Sequence, residues 1–291
     1  MPLRRFVPVP SLQDRLCLVT GAGSGIGRAT ALAAGAAGAR LVLTDVNAPA
    51  LDAIAAQLGD RAVLARALDI SDVDAVRSLA DETHERLGSV DVAMNIAGIA
   101  TWGAVDKLSH EQWRRTVDVN LMGPIHVIEC FVPEMIRAGR GGQLVNISSA
   151  AGLVGLPWHA PYSATKYGLR GVSEVLRFDL RRHRIGVTLV CPGGVATPIV
   201  DAVDIAGIDR EKFRASAQTD RFLRRAKSPE HVAERILDGI TGNRYLVYTS
   251  TDIRLLHLLQ RVAPHSYAAL MRAANNVFVR QMGKLGESGP A

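Results

Sequence analysis

Cysteine is scarce in this sequence: three residues among 291, Cys17, Cys130 and Cys191, far apart and without a C-x-x-C pair. An odd, scattered set argues against a disulfide framework and a cysteine zinc site; each thiol is expected as a small residue inside an apolar run. The eight histidines lack ligand spacing such as H-x-x-x-H, so no metal is expected. Long apolar stretches are missing as well. No run reaches the roughly 18 residues of a membrane span, and none is expected to cross a bilayer. The start, "MPLRRFVPVPS", places prolines where a signal peptide needs its apolar segment, which gives a cytoplasmic, reducing compartment as the expectation. Lysine is rare too, five of 34 basic residues. The arginines lie in short runs such as "RRHR" (181–184) and "RFLRR" (221–225), as on solvated helix faces, so the net charge of +6 does not demand a nucleic-acid partner. No Pro/Gly/Ser-rich linker and no repeat divides the chain.

What is present is globular composition, 48% apolar and 21% charged. Seven short apolar runs alternate with longer segments of helical period: 16–20, 40–45, 62–69, 91–95, 143–148, 187–191 and 245–249. Most lack polar alternation, as strands buried on both faces do. Strand–helix alternation implies βαβ units and a parallel sheet with helices on both faces. The expectation is one domain over 1–291: a doubly wound α/β core (12–250), a substrate-loop insertion (198–230) and a C-terminal helical extension (251–291).

The first run leads into "TGAGSGIG" (20–27) and then a helical stretch. Gly21, Gly25 and Gly27 allow a tight turn and close approach of a pyrophosphate, with Ser24 and Ile26 between them. The helix start beyond offers free N–H groups and a positive dipole end. Asp45 ends the second strand, 18 residues past Gly27. A carboxylate there can accept hydrogen bonds from a ribose and repels a 2′-phosphate, which favours NAD over NADP. Asp69, followed by Ile70, either reaches the adenine edge or caps the helix beginning near Asp72.

"PYSATKYGLRG" (161–171) sets Lys166 between two tyrosines. On a helix, Tyr162 is four residues before Lys166 and shares its face; Tyr167 does not. Removing a hydride from an alcohol also requires removing a proton. A tyrosine of pKa about 10 is a poor base at neutral pH, and lowering it by about three units takes roughly 4 kcal/mol. An ammonium at about 4 Å in an effective dielectric of about 20 supplies that order of energy. Ser148 or Ser149, at the preceding strand end, can hold the substrate oxygen.

With these motifs the chain resembles the short-chain dehydrogenase/reductase family from about residue 12 to 250. "TGAGSGIG" resembles TGxxxGxG. "NIAG" (95–98) resembles NNAG with Ile96 as a departure. "DVNLMG" (118–123) carries the family asparagine, "YSATK" is YxxxK, and "PGGVATP" (192–198) resembles the PG loop. The resemblance implies a Rossmann-like fold. It also implies Tyr162 as acid/base, Lys166 lowering its pKa and binding the nicotinamide ribose, and Ser149, thirteen before the tyrosine, orienting the substrate oxygen. Asn120 would hold a water that links Lys166 to solvent. Asn95, Ala97 and Gly98 would line the cofactor cleft, with Pro192, Gly193, Val195 and Thr197 near the carboxamide. A homotetramer or dimer follows from the same likeness.

Substrate contacts are expected from loops at the strand ends: Trp102, Leu153, Val154, Leu156, Trp158, His159, Ile199, Val203, Phe213 and Phe222. This apolar set suits a hydrophobic secondary alcohol or ketone. Pro264 is expected to divide the extension into two helices that act as a lid, an oligomer contact or, less favoured, a membrane-surface helix. The function expected is NAD-dependent hydride transfer. The alternatives are an NADPH-linked carbonyl or acyl-carrier ketone reductase, and a non-catalytic nucleotide-sensing or lipid-surface binding protein.

Overall fold

The structure, a computed structural model, describes residues 8–197, 203–208, 210–216, 219 and 223–286. All seven apolar runs become strands of one parallel sheet: β1 (Leu16–Thr20), β2 (Arg40–Asp45), β3 (Ala62–Ala67), β4 (Val92–Asn95), β6 (Gly142–Ile147), β7 (Ile185–Cys191) and β9 (Leu246–Tyr248). Their order is β3-β2-β1-β4-β6-β7-β9. The third strand stops at Ala67, short of the expected Asp69. It is a sheet edge, and its last three residues are exposed.

Period-two alternation sends neighbouring side chains to opposite faces, and both faces are covered. Cys17 and Val19 of β1 join one core with Val92, Met94 and Val145. That core is closed by α1 (Gly25–Ala36), α2 (Ala48–Leu58) and α8 (Pro229–Thr241), through Ala31, Leu51, Ile54, Val232 and Ile236. Leu16, Leu18, Ala93 and Leu144 face the other core, closed by α3 (Val73–Leu87) and α5 (Gly123–Ala138) through Leu79, Val127, Phe131 and Met135. Each such aliphatic or aromatic side chain contributes about 1.5–3 kcal/mol on burial. Dual burial explains why the runs read as continuous apolar blocks.

The chain leaves β1 towards β2 and β3, then returns to lay β4 on β1's other side. A crevice opens where the two directions part. α4 (His110–Val117) starts on a capping box, in which Ser109 accepts from the Gln112 N–H and the Gln112 side chain accepts from the Ser109 N–H. It runs through a π-turn, Asp118–Met122, into α5. Within this 29-residue stretch, His110–Ala138, one 18-residue window reaches a mean hydropathy of 1.2, enough by length and composition for a membrane span. Its apolar residues Val127, Phe131 and Met135 are buried in the sheet core, as in a core helix.

α6 (Ala160–Asp179) packs beside β7. A two-residue parallel pair, β5 (Thr101–Trp102) with β8 (Asp204–Ile205), ties the loop after β4 to the later substrate segment. The short helix α7 (Arg210–Arg214) follows. The extension is helical, α9 (Thr251–Val262) and α10 (Pro264–Gly286), and Pro264 opens the second helix. Proline fits that position because it needs no N–H donor in a first turn. Cys17 and Cys191 are buried; Cys130 is half-buried.

Candidate active site

A cleft of about 710 Å³ lies over the ends of β1, β2 and β4, within the size range of cofactor sites. Gly21, Ser24, Gly25, Ile26 and Gly27 form one wall, Asp45, Asp69 and Ile70 the next, and Ala97, Gly98 and Thr197 the far end. The glycine at 27 is forced by space, since a Cβ there would stand 1.9 Å from the Gly21 carbonyl oxygen. α1 begins with Ser24 extended (φ −148°), without a side-chain cap and with no acid in its first turn. Among the described residues no side chain takes its first N–H groups, the arrangement that suits a pyrophosphate.

Asp45 is fixed from two sides: its carboxylate accepts from the Gly23 N–H and the Asn47 N–H, each at 2.9 Å. Asp69 accepts from the Ser71 N–H (2.8 Å) and hydroxyl (2.7 Å). It does not cap α3; Asp72 does, accepting from Asp74 and Ala75. The capping reading is thus excluded, and Asp69 lines the cleft.

Of the expected cofactor residues, Asn95, Pro192, Gly193 and Val195 lie off the cleft wall, as do Tyr162 and Lys166 beside it. Asn95 ends β4 with its side chain turned inward, donating to Asn146 Oδ1 (2.9 Å), so it braces β4 against β6 beneath the floor. Ile96 takes the place on the wall. Pro192, Gly193 and Val195 shape the loop that carries Thr197: the Pro192 carbonyl accepts from the Ala150 N–H (2.7 Å), and Val195 bridges to Lys227. The cleft also has wall residues that sequence reasoning missed: Asn47, Ser71, Glu111, Arg114, Arg115 and Asp118. Half of these come from α4, whose placement across the opening leaves no local pattern to read.

Beside Ala100, which both lines the cleft and packs in the cluster with Tyr162, sit the expected catalytic residues. α6 carries Tyr162 in its first turn and Lys166 one turn later. Ser149 hydrogen-bonds the Tyr162 phenol, whereas Ser148 donates to the Lys166 carbonyl at 2.9 Å. The two serines thus separate into one at the Tyr162 phenol and one supporting the helix. Lys166 is buried; its Nζ donates to the Ile147 carbonyl (3.0 Å) and stands 5.5 Å from the Tyr162 ring centre. Asn120, fully buried in the π-turn, accepts from the Ile99 N–H and donates to the Ile99 carbonyl, both at 2.8 Å. A Cβ on Gly98 would lie 3.0 Å from Asn120 Oδ1 and 3.6 Å from Lys166 Nζ, so the three converge on one point.

Burial pushes the Tyr162 phenol above its ordinary 10, against the lowering effect of the Ser149 hydrogen bond. Burial also draws the Lys166 ammonium down to about 8. The expected lowering of Tyr162 by Lys166, with the cationic nicotinamide adding to it, does not show among the protein's own groups, where desolvation is the largest effect.

On the substrate side, Trp102 stacks on His159 (4.5 Å between centres), and His159 meets Tyr162 edge-on (6.3 Å). His159 Nδ1 lies 2.5 Å from the Pro157 carbonyl, and burial lowers its pKa. Val203 and Phe213 are buried in the same cluster, with Trp158 against it. Leu153, Val154 and Leu156 belong to a neighbouring cluster under α9 and are set back from Tyr162. Ile199 and Phe222 lie outside the described residues.

A doubly wound sheet with a glycine turn at its switch point, and a Ser–Tyr–Lys group beside it, defines a dinucleotide-dependent oxidoreductase. The chain belongs to the short-chain dehydrogenase/reductase family, whose "short chain dehydrogenase" model matches residues 15–206. It is 35% identical over 271 residues to the putative oxidoreductase SadH of Mycobacterium tuberculosis, covering 90% of this chain and 96% of that protein. The 3-oxoacyl-[acyl-carrier-protein] reductase FabG of Thermotoga maritima is 32% identical over 228 residues, 78% of this chain and 90% of that one. Among solved structures, a short chain dehydrogenase/reductase from Burkholderia phymatum in complex with NAD aligns with a TM-score of 0.75 at 31% identity, over 86% of this chain and 94% of that chain.

Proposed function

We propose that this oxidoreductase transfers a hydride between NAD and a hydrophobic secondary alcohol or its ketone. The observation that carries the choice of cofactor is Asp45, a carboxylate held at the cleft edge by two backbone N–H groups. A fixed negative charge there accepts from ribose hydroxyls and repels a 2′-phosphate. The relative bound to NAD supports the same reading.

The bound nicotinamide supplies the hydride acceptor. The chain's own residues handle the proton and the orientation. In the oxidative direction Ser149 holds the alcohol oxygen, and Tyr162 accepts the hydroxyl proton as the hydride leaves carbon. Lys166 favours the phenolate while it is charged, and the cationic nicotinamide adds to that pull. Asn120 fixes the Ile99 loop that borders this point. In the reverse direction Tyr162 starts protonated and donates to the carbonyl oxygen. The apolar, aromatic surroundings of Tyr162 support a hydrophobic substrate.

The likeness to FabG keeps a second reading, ketone reduction with NADPH. Binding titrations separate the two. NAD is expected to bind at least about tenfold tighter than NADP, and Asp45→Ala to narrow that ratio. Tighter NADP binding by the unaltered protein contradicts the NAD reading. An exposed apolar strip on α6, Tyr167, Val175 and Phe178 (38%, 58% and 63% exposed), supports assembly as a homo-oligomer.

A further inference from the structure

The family match ends at residue 206, yet a segment far beyond it packs into the cluster that holds Tyr162. α10 turns one helical face inward: Tyr267, Met271, Phe278 and Met282, spaced by four, seven and four. The Tyr267 hydroxyl accepts from the Gly155 N–H at 2.8 Å. Phe278 meets Trp158 edge-on, with ring centres 5.5 Å apart. Met282 is 2% exposed, although its neighbours on α10 are largely exposed, and it is buried in the cluster that includes Trp102, Trp158 and Tyr162.

The helix therefore grips the 155–158 loop at two points three turns apart and reaches the tyrosine's own cluster. Trp158, at the second of these grips, has φ +63°, a left-handed conformation that a bulky residue rarely adopts. Such a conformation persists only where the surroundings over-determine it. The Trp158 carbonyl, accepting from the Gly103 N–H (2.8 Å), and the Phe278 ring hold it from two sides.

We propose that α10 forms the far wall of the substrate site, with Phe278 and Met282 as the residues that receive the apolar, ring-sized substituent of the alcohol. This rests on the reading of Tyr162 as the acid/base. It assigns a substrate-binding subsite to the C-terminal extension, and it makes bulky secondary alcohols the preferred class over short ones. Phe278 offers an edge-to-face partner for an aromatic ring and Met282 a deformable thioether that adapts to its outline.

The test compares 1-phenylethanol with 2-propanol, each oxidised with NAD by the full chain. Losing one ring contact is expected to lower the ratio of kcat/KM for 1-phenylethanol over 2-propanol about tenfold in Phe278→Ala. Met282→Ala is expected to lower it less, and the NAD dissociation constant to stay put. An unchanged ratio in both variants overturns the proposal. If Phe278→Ala fails to fold by circular dichroism, Phe278→Leu, which keeps bulk without the ring, takes its place with the same expected direction. If the unaltered protein oxidises neither alcohol, the reaction reading fails separately. The wall is then judged by acetophenone binding to the NAD-saturated protein, followed by tryptophan fluorescence from Trp158. Weaker binding in the Phe278 variant upholds it, and equal binding overturns it.

Discussion

Lys166 and Tyr162 sit where burial works against both charged forms, and that has consequences measurable at single residues. An unfolded chain holds the Lys166 proton up to 10.5, whereas the folded chain releases it near 8. Between those values the unfolded state binds more protons, so this residue makes stability rise with pH; below 8 the cost of burying the charge is present in full. Across the window the contribution is about 3 kcal/mol. Urea unfolding from pH 7.5 to 10 should give Lys166→Met a less upward slope than the unaltered protein; parallel curves contradict this. The comparison is needed because the buried thiols, with Cys191 raised to about 12, act oppositely in both proteins above pH 9, where the unfolded thiols ionise. The placing of Tyr162 and Lys166 together on one helix was legible because i, i+4 spacing is a helix property visible in sequence. The inward turn of Asn95 was not, since its partner Asn146 lies 51 residues away.

Asn120 belongs to the scale of elements. The π-turn widens the helix between α4 and α5 and presents its amide to both polar groups of Ile99. Asn120→Ala leaves that buried pair unsatisfied and is expected to cost about 3 kcal/mol by chemical denaturation; Asn120→Asp, which keeps the acceptor, should fall between. A variant as stable as the original contradicts the clamp. Asp72→Ala removes a cap that accepts two N–H groups of α3 and should cost about 1 kcal/mol without changing NAD affinity. Strands and helices were readable from the apolar runs because strands covered on both faces need unbroken apolar side chains. The π-turn and the β5–β8 pair were not: the first is set by one hydrogen-bond slip, and the second spans two residues on each side. Arg114 and Arg115 reach the cleft only because α4 crosses it, which no local spacing encodes.

At the scale of the whole molecule, one sheet end gathers the cofactor cleft, the Ser149–Tyr162–Lys166 group and a wall built from the last helix. The exposed strip on α6 argues for self-association, and Phe178→Asp together with Val175→Asp should shift the mass in light scattering to that of a monomer. An unchanged mass places the contact elsewhere. The central claim is that Tyr162 moves the proton while a hydride passes to NAD. Mixing the protein with NAD and 1-phenylethanol should raise absorbance at 340 nm, and Tyr162→Phe should slow that rise by about 10²–10⁴-fold with NAD binding retained. A Tyr162→Phe protein that produces NADH at the original rate contradicts the account.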